Sequence, residues 1–341
     1  MCPYKIEAAR SYFRASQRLL LLAYLAAIAF TARIIFNPAQ TAAQSGDQPL
    51  LTAGVPLTRE LSGGQSHSYK VTLATSQYLQ VSVDQRGCDV AVVLLGPDGA
   101  VRAEADFDSG QRGQEILSLV TTVACDCKRE VKSKSKTAGR YILKMDSLRK
   151  ATPQDANRVA TYRLQMEARR LHSQETAEMM QQAAGKYEAA LASWKNLGDQ
   201  AGQAAVLLDL GSLYFDLADA KKSLDAWDQS LGLWHLLGRH TEEARALSNL
   251  GLLSYAKGEK EKALEQYNQA MAIHRAEGDR FWEAETMNRI GWVYNAMDEW
   301  QRAIEQHNLA LPIRREVGDR EGEAVTLNDL GRAYDILGEK Q

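Results

Sequence analysis

The histidines and cysteines are the side chains best suited to catalysis or metal binding, and their spacing favours neither. The six histidines are scattered, and the sequence has no H-E-x-x-H, G-x-S-x-G or P-loop motif. His235, His274 and His307 fall in segments with helical spacing, where packing or a surface position explains a histidine better than catalysis does. We therefore expect a protein that is not an enzyme and that needs no cofactor.

Three cysteines, Cys88, Cys125 and Cys127, follow the N-terminal region. The C-x-C pair has no histidine nearby, so it does not predict a zinc site. On a strand, Cys125 and Cys127 would point to the same face, too far apart for an easy mutual bond. Two hypotheses stay open: Cys88 forms a disulfide with one of them, or all three are buried as small apolar side chains.

The charged side chains exclude some classes of partner. The chain has 41 basic and 43 acidic side chains, which gives no electrostatic reason to expect nucleic acid. The basic run KREVKSKSK at 128–136 is typical of a solvated strand and loop. A group of aspartates lacks EF-hand spacing, and we interpret these residues as turn and strand-end residues rather than calcium ligands: Asp84, Asp89, Asp98, Asp106 and Asp108.

Residues 1–43 have the pattern of an export segment or a membrane anchor. Basic residues precede the uncharged stretch LLLLAYLAAIAF, and small residues follow it near Thr41 and Ala43. Without cleavage, residues 19–36 would form an anchor whose basic end lies in the cytoplasm. We predict an exported protein of the periplasm or cell envelope, which contacts the inner membrane only through this segment and only if the segment is not cleaved.

Between residues 44 and 150 the apolar pattern has a period of two. Stretches such as QYLQVSVD and RYILKM alternate over strand length, and Gly, Asp, Ser and Pro separate them. Seven or eight short strands at this spacing predict an antiparallel β-sandwich. Their order resembles the bacterial pre-peptidase C-terminal type of domain, which implies a jelly-roll-like sandwich of the kind found beside secreted enzymes.

The second half of the chain repeats every 40 residues. Each period contains two segments with apolar residues at helical spacing, which predicts a stack of helical hairpins. One glycine series lies inside the first helix, where a missing side chain lets the paired helix approach closely: Gly211, Gly251, Gly291 and Gly331. A second series lies between helices, where glycine ends a helix in a left-handed conformation: Gly198, Gly238, Gly278 and Gly318. Asp199, Asp279 and Asp319 then cap the next helix.

These residues resemble the tetratricopeptide repeat. The last copy reads Leu327, Leu330, Gly331 and Tyr334 in its first helix, and the Ala, aromatic, Ala pattern of the second helix stands at 263, 267 and 270. The resemblance implies an α-helical solenoid over residues 183–341, preceded by a helical connector or cap at 151–182. The last repeat is incomplete, so we expect either further sequence beyond residue 341 or a final helix that acts as a cap.

In such a solenoid the first helix of each hairpin lines the concave side. Carboxamides there can bond an extended peptide backbone, and aromatic rings supply contact area. The predicted partner-binding residues are Phe215, Asn249, Tyr255, Asn288, Trp292, Asn328 and Arg332. Positions such as Leu208 and Ser212 belong to the same concave series. The alternative is that the asparagines solvate a helix face or bond neighbouring helices.

The whole order, from export segment through sandwich to repeats, resembles the front part of bacterial proteins that end in a caspase-like domain of the CHAT type. The resemblance implies two candidate functions. The first is a non-catalytic scaffold that binds a peptide or protein partner in the concave groove. The second is the recognition part of a larger protease whose catalytic domain is not in this sequence. No feature predicts the oligomeric state.

Overall fold

The computed structural model describes residues 51–106, 112–134 and 138–338. The predicted export or anchor segment at 1–43 lies outside these residues, as does Asp108. Among the residues that are described, none of the helices has both the length and the apolar character that a membrane span requires.

The first part of the described chain consists of eight strands in two antiparallel sheets. One sheet has the order β1-β8-β3-β6 and the other the order β2-β7-β4-β5, which is the strand order of an eight-stranded jelly roll. The prediction of a β-rich region before the helices is confirmed. The strands are β1 Leu57–Leu61, β2 Ser66–Leu73, β3 Gln77–Arg86, β4 Val90–Leu95, β5 Val101–Ala105, β6 Arg112–Val120, β7 Cys125–Ser133 and β8 Gly139–Lys150.

The core of the sandwich lies between the inner faces of the two sheets. Leu79, Val81 and Val83 of β3 are buried, as the period of two requires, and they pack in one cluster with Val92 and Leu94 of β4. The polar residues that alternate with them on β3 face the opposite side of the sheet. This outer face is turned toward the helices that follow.

The cysteine prediction is wrong in its pairing. Cys125 and Cys127 are joined by a disulfide, with their Cα atoms 5.3 Å apart, inside the range that a disulfide tolerates. Two positions apart on a regular extended strand these residues would be too far apart to bond, but they lie at the start of β7, where the backbone brings their Cα atoms closer. Cys88 is buried and its thiol donates to the Arg140 backbone carbonyl at 3.3 Å.

Nine helices follow in the described chain, and they pair as hairpins of a first helix (odd numbers) and a second helix (even numbers). The bounds are α1 Pro153–His172, α2 Ala177–Asn196, α3 Gln200–Asp216, α4 Ala220–Leu236, α5 His240–Lys257, α6 Lys260–Ala276, α7 Arg280–Ala296, α8 Trp300–Glu316 and α9 Arg320–Ile336. The predicted start of the solenoid at residue 183 lies within α2.

The predicted helix boundaries agree with the structure. The glycines between hairpins have φ between +63° and +72°, which is the left-handed region. Asp199 Oδ1 accepts from the Gly202 amide at 2.9 Å, and Asp319 Oδ1 accepts from the Gly322 amide at 3.0 Å. These bonds satisfy amides that the first turn of α3 and of α9 would otherwise leave unpaired.

The glycine series inside the first helices brings the two helices of a hairpin together. A Cβ added to Gly211 would stand 2.2 Å from Cδ1 of Trp227, and one added to Gly251 would stand 2.7 Å from Tyr267. Gly331 on α9 has open space there instead, because no helix of the described chain follows α9. On that side Leu327 is 45% exposed, whereas Leu330 is buried against Ile304 of α8.

Candidate functional site

A groove of about 1230 Å³ runs between the outer face of the β1-β8-β3-β6 sheet and the first helices of the solenoid. Its sandwich wall includes Gln80 and Ser82 of β3 and Gln114 of β6. Its helical wall comes from α1, α3 and the start of α5, and Trp282 of α7 lies at its far end. The groove is therefore enclosed by both parts of the chain rather than by the solenoid alone.

An ion pair at the junction of the two parts holds these walls in place. Arg149, at the end of β8, donates to both carboxylate oxygens of Asp155 in the first turn of α1, at 2.6 and 2.7 Å. Asp155 is fully buried, and the Arg149 guanidinium and the Thr152 amide hold the pKa of its carboxyl well below the usual range. Ile116 and Met166 add an apolar contact between β6 and α1.

Polar bonds between the first helices shape the floor of the groove. Asp209 of α3 accepts from Gln165 Nε2 at 2.9 Å and from Arg169 Nε at 2.9 Å, both of α1. His172 and Asp216 meet in the same way, with 2.9 Å between Nε2 and Oδ2. Successive first helices are thus tied by their concave side chains, and these polar groups already have partners.

Arg245 of α5 differs from these neighbours. It lines the groove, yet among the described residues it has no hydrogen bond and no ion pair. Its guanidinium lies 6.0 Å from the ring centroid of Trp282, a weak cation–π distance. Burial, followed by the like charge of Arg169, lowers the pKa of Arg245. This half-buried cation is a group that an anionic partner would stabilise.

The arginines of α1 add positive charge to the same wall. Arg163 and Arg170 line the groove, are exposed, and have no ion pair within the part of the chain that the structure describes. Across the groove the sandwich wall carries Glu104 and Asp146. An extended segment between the walls would therefore meet carboxylates and carboxamides on the sandwich side, and guanidinium groups mixed with carboxylates such as Glu167 and Glu242 on the helical side.

None of the seven residues predicted to bind a partner lines this groove. From the wider concave series, Leu208 and Ser212 do line it. The predicted residues belong mainly to the later repeats, whereas the groove lies where the sandwich faces the earlier ones. Their role in partner binding remains a prediction.

The expectation that Asn288 faces the concave side of the solenoid is wrong. The residue is fully buried; its Oδ1 accepts from His307 Nδ1 at 2.6 Å and its Nδ2 donates to Asp329 Oδ2 at 3.2 Å. Trp292 is half-buried and its Nε1 donates to the same carboxylate at 2.5 Å. These two residues bond neighbouring helices, which is the alternative that the sequence left open.

The other predicted residues are distributed between interfaces and surface. Phe215 and Tyr255 are half-buried and pack beside the apolar clusters between helices, Phe215 with its ring centroid 5.7 Å from that of Trp227. Asn249 is half-buried, and Asn328 and Arg332 of α9 are exposed.

The most distinctive groove residues escaped the sequence argument. The equivalent position is Ala205 in the repeat before Arg245 and Glu285 in the repeat after it, each 40 residues away. The repeat pattern therefore does not predict a functional residue at position 245. The available signal was weak: an arginine on the concave side of one repeat. Its importance depends on the sandwich wall opposite it, which the repeat pattern does not encode.

Residues 202–276 and 282–341 match the family pattern described as tetratricopeptide repeat. The matched residues cover most or all of each helix from α3 to α9. The search of curated proteins found no match to the chain.

Solved structures align with the helical part of this chain at low identity. Aspartyl phosphate phosphatase F from Bacillus subtilis aligns with a TM-score of 0.50 and 14% identity, over 55% of this chain and 48% of that protein. BtubC from P. vanneervenii aligns with a TM-score of 0.46 and 19% identity, over 55% and 85% of the two chains. A putative kinesin light chain from Podosopora anserina aligns with a TM-score of 0.45 and 18% identity, over 53% of this chain and 89% of that protein. This chain thus spans about half the length of the phosphatase.

Proposed function

We propose that the protein is a non-catalytic scaffold that captures an extended segment of a protein partner in the groove between the β-sandwich and the first solenoid helices. Tetratricopeptide repeats support a role in protein interaction. The groove is wide enough for a chain segment, and strands and helices line it with both charged and apolar side chains. These properties suit a polypeptide guest better than a small apolar ligand.

The observation that carries this proposal is the unpaired guanidinium of Arg245. A charge that is partly removed from water and lacks a partner is unfavourable, and a carboxylate placed beside it would relieve that penalty. The charges of Asp209, Glu242 and Asp279 raise the pKa of Arg245 and offset part of that penalty, but the Asp209 carboxylate accepts its hydrogen bonds from Gln165 and Arg169. We infer that the guest supplies an acidic group at this point.

Site-specific crosslinking tests the location of the guest. A photoreactive amino acid at Ser212, in the groove, should crosslink to a partner, whereas the same group at Leu309, exposed on α8 away from the groove, should not. Equal crosslinking at both positions would place the partner elsewhere.

Binding of the partner identified in this way then tests Arg245. Arg245→Ala should weaken binding about 10-fold or more, since a hydrogen bond to a charged group contributes roughly 1.5–3 kcal/mol. Arg320→Ala, at an exposed arginine of α9, is the matched control and should leave binding unchanged. Unchanged affinity in Arg245→Ala would remove the carboxylate contact from the proposal.

The second candidate function is recognition within a larger protease of the CHAT type. The groove is enclosed by both the sandwich and the solenoid, and this arrangement favours the recognition function. A guest in the groove contacts both parts of the chain and can alter their relative position. The test is whether the guest peptide changes the protease activity of a longer parent protein. Activity that is the same with and without the peptide would leave only the scaffold function.

The place of action follows from the N-terminal prediction. We propose that the groove works outside the cytoplasm, in the periplasm or cell envelope, after export directed by residues 1–43. Cell fractionation combined with the intact mass of the native protein tests this, because the mass distinguishes a cleaved from an uncleaved segment.

A further inference from the structure

A second feature of the chain concerns the interior of the β-sandwich, away from the groove. Arg129 on β7 has a fully buried side chain, and its Nε, Nη1 and Nη2 atoms have no hydrogen-bond partner within the described residues. No carboxylate there forms an ion pair with it. A buried cation without a counter-charge is strongly unfavourable.

The residue opposite Arg129 is a neutral phenol rather than an anion. Tyr69 on β2 lies directly opposite Arg129 in the strand register, and its hydroxyl is 2.5 Å from the hydroxyl of Tyr141 on β8. The Tyr141 hydroxyl is in turn 2.7 Å from Nδ1 of His67. Burial raises the pKa of both tyrosines, while the nearby charge of Arg59 opposes that shift. Both phenols are therefore neutral near pH 7.

The charge of Arg129 persists under the same conditions. Burial lowers its pKa to about 10, which still leaves the guanidinium protonated near neutral pH. The buried carboxylate of this sandwich, Glu115, accepts from Gln85 Nε2 at 3.1 Å and lies on β6, in the other sheet. It does not neutralise Arg129.

We propose that the sandwich binds a small inorganic anion of the chloride class between the Arg129 guanidinium and the Tyr69 hydroxyl. The guanidinium offers donors only, so its ligand must be an acceptor. If His67 Nδ1 donates to Tyr141 and Tyr141 donates to Tyr69, the Tyr69 hydrogen remains available for the anion. The bound anion thus orients the whole chain of three hydroxyl and imidazole groups.

The size of the ligand follows from the surroundings. Arg129 is opposite Leu94 as well as Tyr69, and Cys127 and Val131 lie two residues away on the same side of β7. A site bounded by these packed side chains suits a single ion rather than a peptide carboxylate. Because β2 is an edge strand of its sheet, local opening there gives an ion access without unfolding of the sandwich.

Thermal unfolding of the full chain in matched salts tests the site. At equal ionic strength, sodium chloride or bromide should raise the Tm of the sandwich transition above its value in sodium gluconate by about 2 °C or more, with saturation. Chlorine-35 NMR should show an excess chloride linewidth that bromide removes. Equal Tm in chloride and gluconate, together with no excess linewidth, would overturn the proposal.

Variants assign the effect to this site. Arg129→Met should abolish both the halide-specific shift and the excess linewidth. Arg102→Met, at an exposed arginine of β5, should keep both. Tyr69→Phe removes one hydroxyl only, so it should still fold and should weaken halide binding severalfold, which keeps the test decisive if Arg129→Met fails to fold. Full halide binding in Tyr69→Phe and Arg129→Met would overturn the assignment.

Discussion

Lowering the pH from 7 to 5 should destabilise the helical repeats through two buried histidines. His274 of α6 and His307 of α8 are almost fully buried, and burial lowers the pKa of each to about 4. His307 donates from Nδ1 to Asn288, and its Nε2 has no partner within the described chain. Both ring nitrogens of His274 also lack a hydrogen-bond partner within the described chain. The imidazole ring stacks on Trp282.

The sign of the effect follows from proton linkage. An unfolded histidine has a pKa near 6.5, so the unfolded state binds a proton more readily than the folded state does. The stability that each neutral histidine contributes is therefore fully present above about pH 6.5 and is lost as the pH falls toward 4. The nearby charges do not reverse this. The charges of Asp279 and Glu283 raise the pKa of His274, whereas those of Arg289 and Arg245 lower it. The charge of Arg314 lowers the pKa of His307.

The magnitude is large compared with the stability of a typical domain. A pKa difference of about 2.5 corresponds to roughly 3 kcal/mol per histidine when the loss is complete, and to roughly 2 kcal/mol at pH 5. Two such groups remove roughly 4 kcal/mol at pH 5, out of the 5–15 kcal/mol that is usual for a folded domain. Urea unfolding followed by far-ultraviolet circular dichroism at both pH values measures it.

Substitution by the residues of earlier repeats separates the histidines from other titrating groups. His307→Tyr restores the residue type of Tyr267, and His274→Trp restores that of Trp234, each one period earlier. The double variant should lose roughly 4 kcal/mol less than the parent between pH 7 and 5, whereas His240→Gln, at an exposed position, should behave like the parent. A double variant that is as acid-sensitive as the parent would refute the reasoning.

Four further substitutions test the packing of the solenoid and its junction with the sandwich, each measured by chemical or thermal unfolding. Gly211→Ala should lower the free energy of unfolding by about 1–3 kcal/mol, because the added methyl group overpacks against Trp227. Gly331→Ala has open space at its Cβ, so it should be neutral or should stabilise the protein by up to about 1 kcal/mol. Equal effects of the two substitutions would contradict the close-approach role of Gly211. Asn288→Ala should cost about 1–3 kcal/mol, because it leaves two buried polar partners unpaired; no loss would mean that these bonds are unimportant. Arg149→Ala should lower the free energy of unfolding by about 1–3 kcal/mol. This loss is smaller than that for breaking a fully buried ion pair, because the Arg149 side chain is 44% exposed. The substitution should also speed proteolysis between β8 and α1. Unchanged proteolysis would show that Asp155 does not join the two parts.

The repeat geometry was predictable because glycine spacing reports local requirements of the backbone. A left-handed turn and a close helix approach each demand glycine at one place, so Gly318 and Gly251 could be interpreted without knowledge of any contact. The same reasoning failed for Asn288. Adjacent residues on a helix are about 100° apart, so an error of one position moves a side chain from the concave face to the interface with the next repeat.

The amino-acid sequence alone determined the order of a β-rich region and a helical repeat array, the period of 40 residues, and the glycine and aspartate residues that begin and end the helices. These depend on contacts within a few residues. Only the tertiary structure decided where the groove lies, and that Arg245 in the groove and Arg129 in the sandwich have no hydrogen-bond or ion-pair partner among the described residues. Those properties depend on which residues from distant segments come together, and the Arg149–Asp155 junction between sandwich and solenoid sets that arrangement.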